Sequence, residues 1–237
     1  MILLWEVVCR VGNVPPFILP KPSEVIVSLW ELRSLLFGEH FLATLEEVLL
    51  GLVSSIALGV LLAVLMRLSP IWERIIYPHI VISQTIPMIA LSPIFIMWFG
   101  YSLTGKIAIA TLFTFFPIVV STYDGLGSSP KEMVDLLRTM GATRAQIFWK
   151  LQVPACLPHF FSGVKVAATY SVAGATIGEW LGASEGLGYF GRRASGNFQA
   201  SALFASILIL SAMGILLFLL ATGLERRWTG KTNRSSK

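Results

Sequence analysis

The chain has 237 residues, 55% of them hydrophobic and only 13% charged, with a net charge of +5 and a mean hydropathy of +0.75. A soluble globular domain carries about 25% charged residues, so a disordered chain, a secreted disulfide scaffold and an ordinary cytosolic enzyme are excluded. What remains at this length is a single all-α membrane domain over residues 1–237, whose basic excess reflects Lys and Arg sorted around spans rather than nucleic-acid binding.

A crossing helix requires about 20 mostly apolar residues. Met1–Val8 is apolar apart from Glu6 and too short to cross; it lacks the basic start of a signal peptide and reads as a partial or truncated first span, or as a short membrane-surface turn. Pro20–Leu45 reads as an interfacial segment, with Val25, Leu29, Leu32 and Leu36 at helical spacing and Ser23 as its cap. Val48–Met66 is the first full span. Ile75–Gly105 is free of formal charge and holds a second span with an irregular start, broken by Pro78, Pro87 and Pro93. Ile107–Tyr123, Gly163–Leu181 and Ala202–Leu224 complete five full spans of a polytopic helix bundle.

The Lys/Arg distribution orients the bundle. Arg67 and Arg74, the Lys131–Lys150 stretch and the basic tail 225–237 share one side and hold most of the chain's 18 basic residues, so that side is expected to be cytoplasmic, with the C-terminus inside and a multi-pass location in the cell membrane. The sequon Asn233-Arg-Ser235 then lies inside and has no consequence. Gly100-Tyr-Ser-Leu-Thr-Gly105-Lys106-Ile107 resembles a phosphate-binding loop but ends in Ile107, which cannot hold Mg²⁺. Gly186-Leu-Gly188-Tyr-Phe-Gly191 has dinucleotide-loop spacing without a preceding strand. Cys9 and Cys156 read as buried small hydrophobes, a disulfide or metal site being the alternative, and His40, His79 and His159 are too scattered for zinc. No nucleophile–base pair is present, so no catalytic residue, cofactor or metal is expected.

Within the spans, Gln84 and Thr85 place polar groups mid-way along an apolar segment, where irregular backbone lines a cavity or is buried in protein. Glu179 is a carboxylate near a span end, suited to a gate, a structural hydrogen bond or substrate contact; Lys165, fourteen positions away, is too distant to be its assured partner. Trp98, Tyr101, Trp180 and Tyr189 offer flat faces for stacking on a ring, or serve as interfacial anchors. Ala167, Ala168, Ser171, Ala173, Gly174 and Ala175 suit close helix packing.

The loop 124–154 carries the strongest signal. Pro130 sits where a helix begins, Met133, Leu136, Leu137 and Met140 recur at helical spacing, and Gly141 suits a left-handed helix end. Arg144–Val153 is a second amphipathic piece with Ile147, Phe148 and Leu151, ended by Pro154 and Pro158. An ordinary solvated loop does not need so many apolar residues; a docking surface does.

Here the sequence resembles a family. Asp135-Leu-Leu-Arg-Thr-Met-Gly141 followed by Leu151-Gln-Val-Pro154 looks like the EAA loop of ABC importer permeases, with Asp135 for Glu, Leu136 and Leu137 for the two alanines, and Leu151 for Ile. Thr44-Leu45, Gln84-Thr-Ile-Pro87, Ala90-Leu-Ser-Pro93, Trp98-Phe-Gly100, Phe116-Pro117, Gly141-Ala142-Thr143 and Gly178-Glu-Trp-Leu-Gly182 resemble the nitrate/sulfonate/taurine-type branch, in the order that branch has them. The resemblance implies the type I importer fold. It also implies an ATPase as a separate cytoplasmic subunit, an extracytoplasmic solute-binding protein, a second permease copy forming a homodimer, and a bilayer around them. It assigns ATPase coupling to Asp135, Leu136, Leu137, Arg138, Met140, Gly141, Ala142 and Pro154, and pathway or substrate contact to Gln84, Thr85, Trp98, Tyr101, Glu179 and Trp180. The closest look is to permeases for pyrimidine precursors of thiamine and for riboflavin-type compounds, the alternative being a sulfonate, taurine or nitrate. Outside this class stand a secondary transporter, which would need more intramembrane charge than Lys165 and Glu179 supply, and a non-transporting scaffold.

Overall fold

The computed structural model describes residues 2–232, which form helices and connecting turns with no strand among them. The rest of the basic tail, including Arg234, Lys237 and the sequon, lies outside the described residues.

Two short helices open the chain. α1 (Ile2–Val11) leaves Leu3, Leu4, Val7 and Val11 exposed and buries Cys9. α2 (Pro22–Glu31) starts two residues earlier than a helix capped by Ser23 would. Its N-cap is Lys21, whose backbone N–H donates to the Glu24 carboxylate at 3.2 Å while its ammonium bonds the same group at 3.0 Å, holding Glu24 below the usual carboxylate range. Ser23 instead donates its hydroxyl and its backbone N–H to Glu6, at 3.0 and 3.2 Å, and ties α2 to α1. The α2 stripe faces inward as its spacing predicts, with Val25 buried and Leu29 and Leu32 packed on the core.

The interfacial reading of Pro20–Leu45 does not fit its second half. α3 (Arg33–Leu35) runs through a π-turn (Leu36–His40) into α4 (Phe41–Leu68), so Arg33–Leu68 is one continuous helix of 36 residues. Its buried face carries Thr44, Glu47, Gly51, Ser55, Gly59 and Ala63, three to four residues apart. Small residues there bring its backbone close to α7 (Leu103–Gly127): a Cβ at Gly51 would meet Ala110, one at Gly59 would meet Ile118, and the Ser55 and Thr114 hydroxyls bond each other across the seam.

The segment expected to hold one span with an irregular start is broken in its middle. α5 (Pro70–Ser83) and α6 (Met88–Phe99) meet at 93° across Gln84–Pro87. Of the three prolines expected to break it, only Pro87 does, as the extended residue preceding α6. Pro78 and Pro93 sit inside their helices.

After α7 the chain makes an elbow of α8 (Lys131–Thr139) and α9 (Arg144–Ile147), then passes through a second π-turn (Phe148–Gln152) into α10 (Val153–Gly182). Pro154 and Pro158 therefore do not end a helix before the next span. The π-turn gives the reason: the Val153 N–H reaches back five residues to the Phe148 carbonyl, and this wider turn accommodates Pro154, which has no N–H and would crowd the carbonyl four residues before it.

α10 is the central post. It packs on α7 and α4, on α11 (Leu187–Gly196) and on α12 (Ala200–Thr232). Its buried face is built of small residues, Gly163, Ala167, Ala168, Ser171, Gly174 and Ala175. A core of Val25, Leu36, Val48, Val172, Leu187 and Ile209 joins α2, α4, α10, α11 and α12. Lys165 pairs with Glu225 of α12 at 2.8 Å and does not reach Glu179. Cys9 and Cys156 are both free and buried. Among the described residues, Arg33–Leu68, Leu103–Gly127 and Ala200–Thr229 are long and apolar enough to cross a membrane, and α5 with α6 supplies a fourth such segment if counted as one broken span. α10 has 30 residues, about 45 Å at 1.5 Å each, but carries more small and hydroxyl side chains.

Candidate functional site

Three places in the bundle concentrate the singled-out residues. The first is the elbow. α8 starts after Pro130, whose carbonyl accepts from the N–H groups of Met133 and Val134 at 3.1 and 3.2 Å. It ends in two crossing bonds, Gly141 N–H to Arg138 and Ala142 N–H to Leu137, both 3.0 Å, with Gly141 at φ +82°. That is the six-to-one and five-to-two pairing of a left-handed helix stop, a conformation open to glycine at little cost. Two residues on, the Thr143 hydroxyl accepts from Gln146 N–H while the Gln146 side chain accepts from Thr143 N–H at 2.8 Å, a reciprocal cap. Both helices are thus fixed by local bonds, and the apolar side chains they carry are left uncovered: Met140 is 74% exposed and Leu136 57%. Leu137 and Ala142 are half-buried, Ile147 is buried, and Asp135 pairs with Arg138 at 3.3 Å on the open surface. Pro154 lies half-buried in the first turn of α10.

The second place is a polar lock at the opposite end. The first turn of α11 has four backbone N–H groups with no partner in the helix. Gly186 N–H donates to His40 Nδ1 at 3.1 Å, Leu187 N–H to the Thr44 hydroxyl at 2.8 Å, and Gly188 and Tyr189 N–H to Glu179 Oε2 at 2.5 and 3.2 Å. The Thr44 hydroxyl donates in turn to Glu179 Oε1 at 2.6 Å. Every orphan donor is satisfied, and the carboxylate sits at the positive end of the helix dipole. Gly186, at φ +116°, and Gly188 are required here because a Cβ on either would run into the Glu179 carboxylate. Glu179, one of the pathway candidates, therefore has both oxygens engaged inside the fold.

Beside the lock, Lys106 Nζ meets Glu47 Oε1 at 2.6 Å, with the Glu47 side chain 1% exposed and its Oε2 without a hydrogen bond. Glu47 escaped the sequence reading because the apolar run begins at Val48, and Lys106 entered it without a role. His40 belongs with them, its ring packed near those of Tyr189 and Phe190.

The third place is a groove of about 550 Å³ between α10 and α12, closed at one side by Ile89 of α6. Trp180 lines it with Thr169, Thr176 and Ser211. The two threonine hydroxyls each donate to a carbonyl of their own helix, Val166 and Val172, at 2.7 Å, which leaves their lone pairs free as acceptors. Of the pathway candidates, only Trp180 lines this groove. Gln84 and Thr85 are exposed at the α5–α6 bend, Tyr101 lies over Gly182 at the end of α10, and Trp98 is exposed near Phe95. The threonines escaped notice because hydroxyls in an apolar run carry no periodicity of their own. Elsewhere the uncovered face of α12 is aliphatic, with Leu208, Leu216, Leu219 and Leu220 exposed, as suits contact with lipid.

Known proteins match this architecture. The family description "binding-protein-dependent transport system inner membrane component" fits residues 55–230. The chain is 47% identical to the formylaminopyrimidine transport permease protein ThiX of Halalkalibacterium halodurans, over 95% of this chain and 90% of that one. It is 32% identical to the riboflavin transport system permease protein RibX of Chloroflexus aurantiacus, over 96% of this chain and 87% of that one. Among solved structures, a chain of the MetNI methionine ABC transporter in an inward-facing conformation superposes with a TM-score of 0.62 at 22% identity, over 89% of this chain and 99% of that one, and shares the fold.

Proposed function

This chain belongs to the family of inner-membrane components of binding-protein-dependent transport systems, and from that premise we propose that it is the permease of an importer for a small, uncharged nitrogen heterocycle of the pyrimidine type. The observation that carries the substrate class is the groove between α10 and α12. It combines a flat indole, Trp180, with hydroxyl acceptors on Thr169 and Thr176, and among the described residues that line it there is no charged side chain. A planar ring bearing N–H or NH₂ donors finds a stacking face and acceptors there. A sulfonate or nitrate would find no cation. The names of the two relatives, formylaminopyrimidine and riboflavin, both denote planar nitrogen heterocycles.

In this reading the bundle crosses the membrane five times, with the C-terminus in the cytoplasm. Two copies face each other across the solute path, and the groove of each opens on it. A binding protein delivers solute at the end carrying the polar lock. ATPase subunits take the elbow, with Leu136, Leu137 and Met140 as apolar contacts, Asp135 and Arg138 setting polar register, and Gly141, Ala142 and Pro154 holding the angle. The chain contributes no ATP chemistry; its task is to carry ATPase closure into movement of α10, to which the elbow is joined without a loop.

Uptake into proteoliposomes containing the chain, its ATPase and its binding protein tests the reading. ATP-dependent accumulation of a labelled formylaminopyrimidine, competed by unlabelled pyrimidine and indifferent to excess taurine, is expected. Accumulation of taurine or an alkanesulfonate in its place overturns the substrate class.

A further inference from the structure

A second cavity, of about 240 Å³, lies between the end of α4 and the elbow. Three arginines line it, Arg67 from α4, Arg138 from α8 and Arg144 from α9, together with Gln152. All three are exposed, and like charges gathered around one concavity favour an anion between them. Among the described residues the one carboxylate within ion-pair distance of any of them is Asp135, which is exposed and takes only Arg138. Arg67 and Arg144 have none.

We infer that this cavity is a phosphate-group site that holds an anionic phospholipid headgroup, and that its occupant braces the elbow against the end of α4. Guanidinium forks match phosphate oxygens in pairs, and basic pockets between helices at the cytoplasmic membrane face suit anionic headgroups. The remaining walls fit the lipid rather than a freely diffusing ion. Leu68, exposed at the end of a helix of spanning length, and Phe148 supply apolar surface where a glycerol backbone and the first acyl carbons would lie. The cavity meets the surface assigned to the ATPase only at Arg138. Val134 and Arg138, four residues apart, face the cavity, while Met133, Leu136 and Met140 share the other side of α8. A headgroup and an ATPase can therefore occupy the same short helix together, and the lipid would set the angle at which the elbow is offered.

The test uses the full-length chain in neutral detergent, offered equal amounts of dioleoylphosphatidylglycerol and dioleoylphosphatidylcholine and weighed by native mass spectrometry. One retained phosphatidylglycerol per chain, preferred about tenfold, is expected. Arg67→Gln and Arg144→Gln should each lower that preference about fivefold, the worth of one cation beside an anionic headgroup. Arg192→Gln, in α11 at the other end of the bundle, should leave it unchanged. Arg67→Lys keeps the charge without the fork and should retain part of the preference, which guards against a glutamine variant that fails to fold. Displacement of the lipid by millimolar inorganic phosphate would assign the same site to free phosphate and overturn the lipid occupant. Equal retention of the two lipids, or unchanged retention in both glutamine variants, overturns the site itself. So does loss of ATPase co-purification in those variants with lipid retention intact, because the arginines would then serve a protein partner.

Discussion

The two ends of the bundle solve opposite problems with the same kind of local bonding. At the α11 end, His40, Thr44 and Glu179 satisfy every free N–H of a helix start, and the groups of the lock spend their hydrogen bonds on one another, only the buried second oxygen of Glu47 beside them having none. At the elbow, backbone groups are equally well satisfied by the glycine stop and the Thr143 cap, yet the apolar side chains stay in the open. The first arrangement is closed on itself and contributes to folding. The second is rigid and uncovered, which is what a surface built for another subunit requires, since a pre-ordered patch loses little entropy on binding.

That contrast makes graded predictions. Lys106→Met leaves the buried Glu47 carboxylate without its cation and should cost about 3–5 kcal/mol, read as a large fall in unfolding temperature in detergent; an unchanged temperature would mean the pair is held open to water. Glu179→Ala frees two backbone donors and the Thr44 hydroxyl in a buried site and should cost about 3 kcal/mol, with proteolysis at α11 appearing first. Gly141→Asp sits on the other side of the contrast. The left-handed backbone should cost it only about 1 kcal/mol, and membrane insertion should be normal, but transport and binding-protein-stimulated ATP hydrolysis should be abolished; wild-type transport by this variant would sink the coupling role of the elbow. Asp135→Asn removes an exposed ion pair worth less than about 1 kcal/mol, so its unfolding temperature should be unchanged, and any loss should appear only as weaker ATPase co-purification.

The elbow was legible in the sequence because its signals are local: Pro130 opens α8, Gly141 closes it, and Met133, Leu136 and Met140 repeat at helical spacing between them. The apolar runs were legible for the same reason. The lock was not, because Glu179 meets Thr44 across 135 positions and Gly186 meets His40 across 146, separations no periodicity encodes. Glu47 was hidden by helix continuity: a run counted from its first unbroken apolar residue begins at Val48, while the helix itself begins at Arg33. Proline misled by promising breaks that do not occur. Pro78, Pro93 and Pro158 stand inside helices, where packing and neighbouring turns absorb them, and only Pro87 marks a true bend.

The π-turn at Phe148–Gln152 has one more consequence. Such a turn amounts to one residue inserted into a regular helix, and each residue of an α-helix advances the chain by about 100° around its axis. The compass bearing of Leu136 and Met140 relative to α10 is therefore fixed by the number of residues in that turn. Deleting one of them would let the helix close regularly and swing the whole elbow by about 100°, leaving every side chain in place on α8 while aiming it at the wrong neighbour.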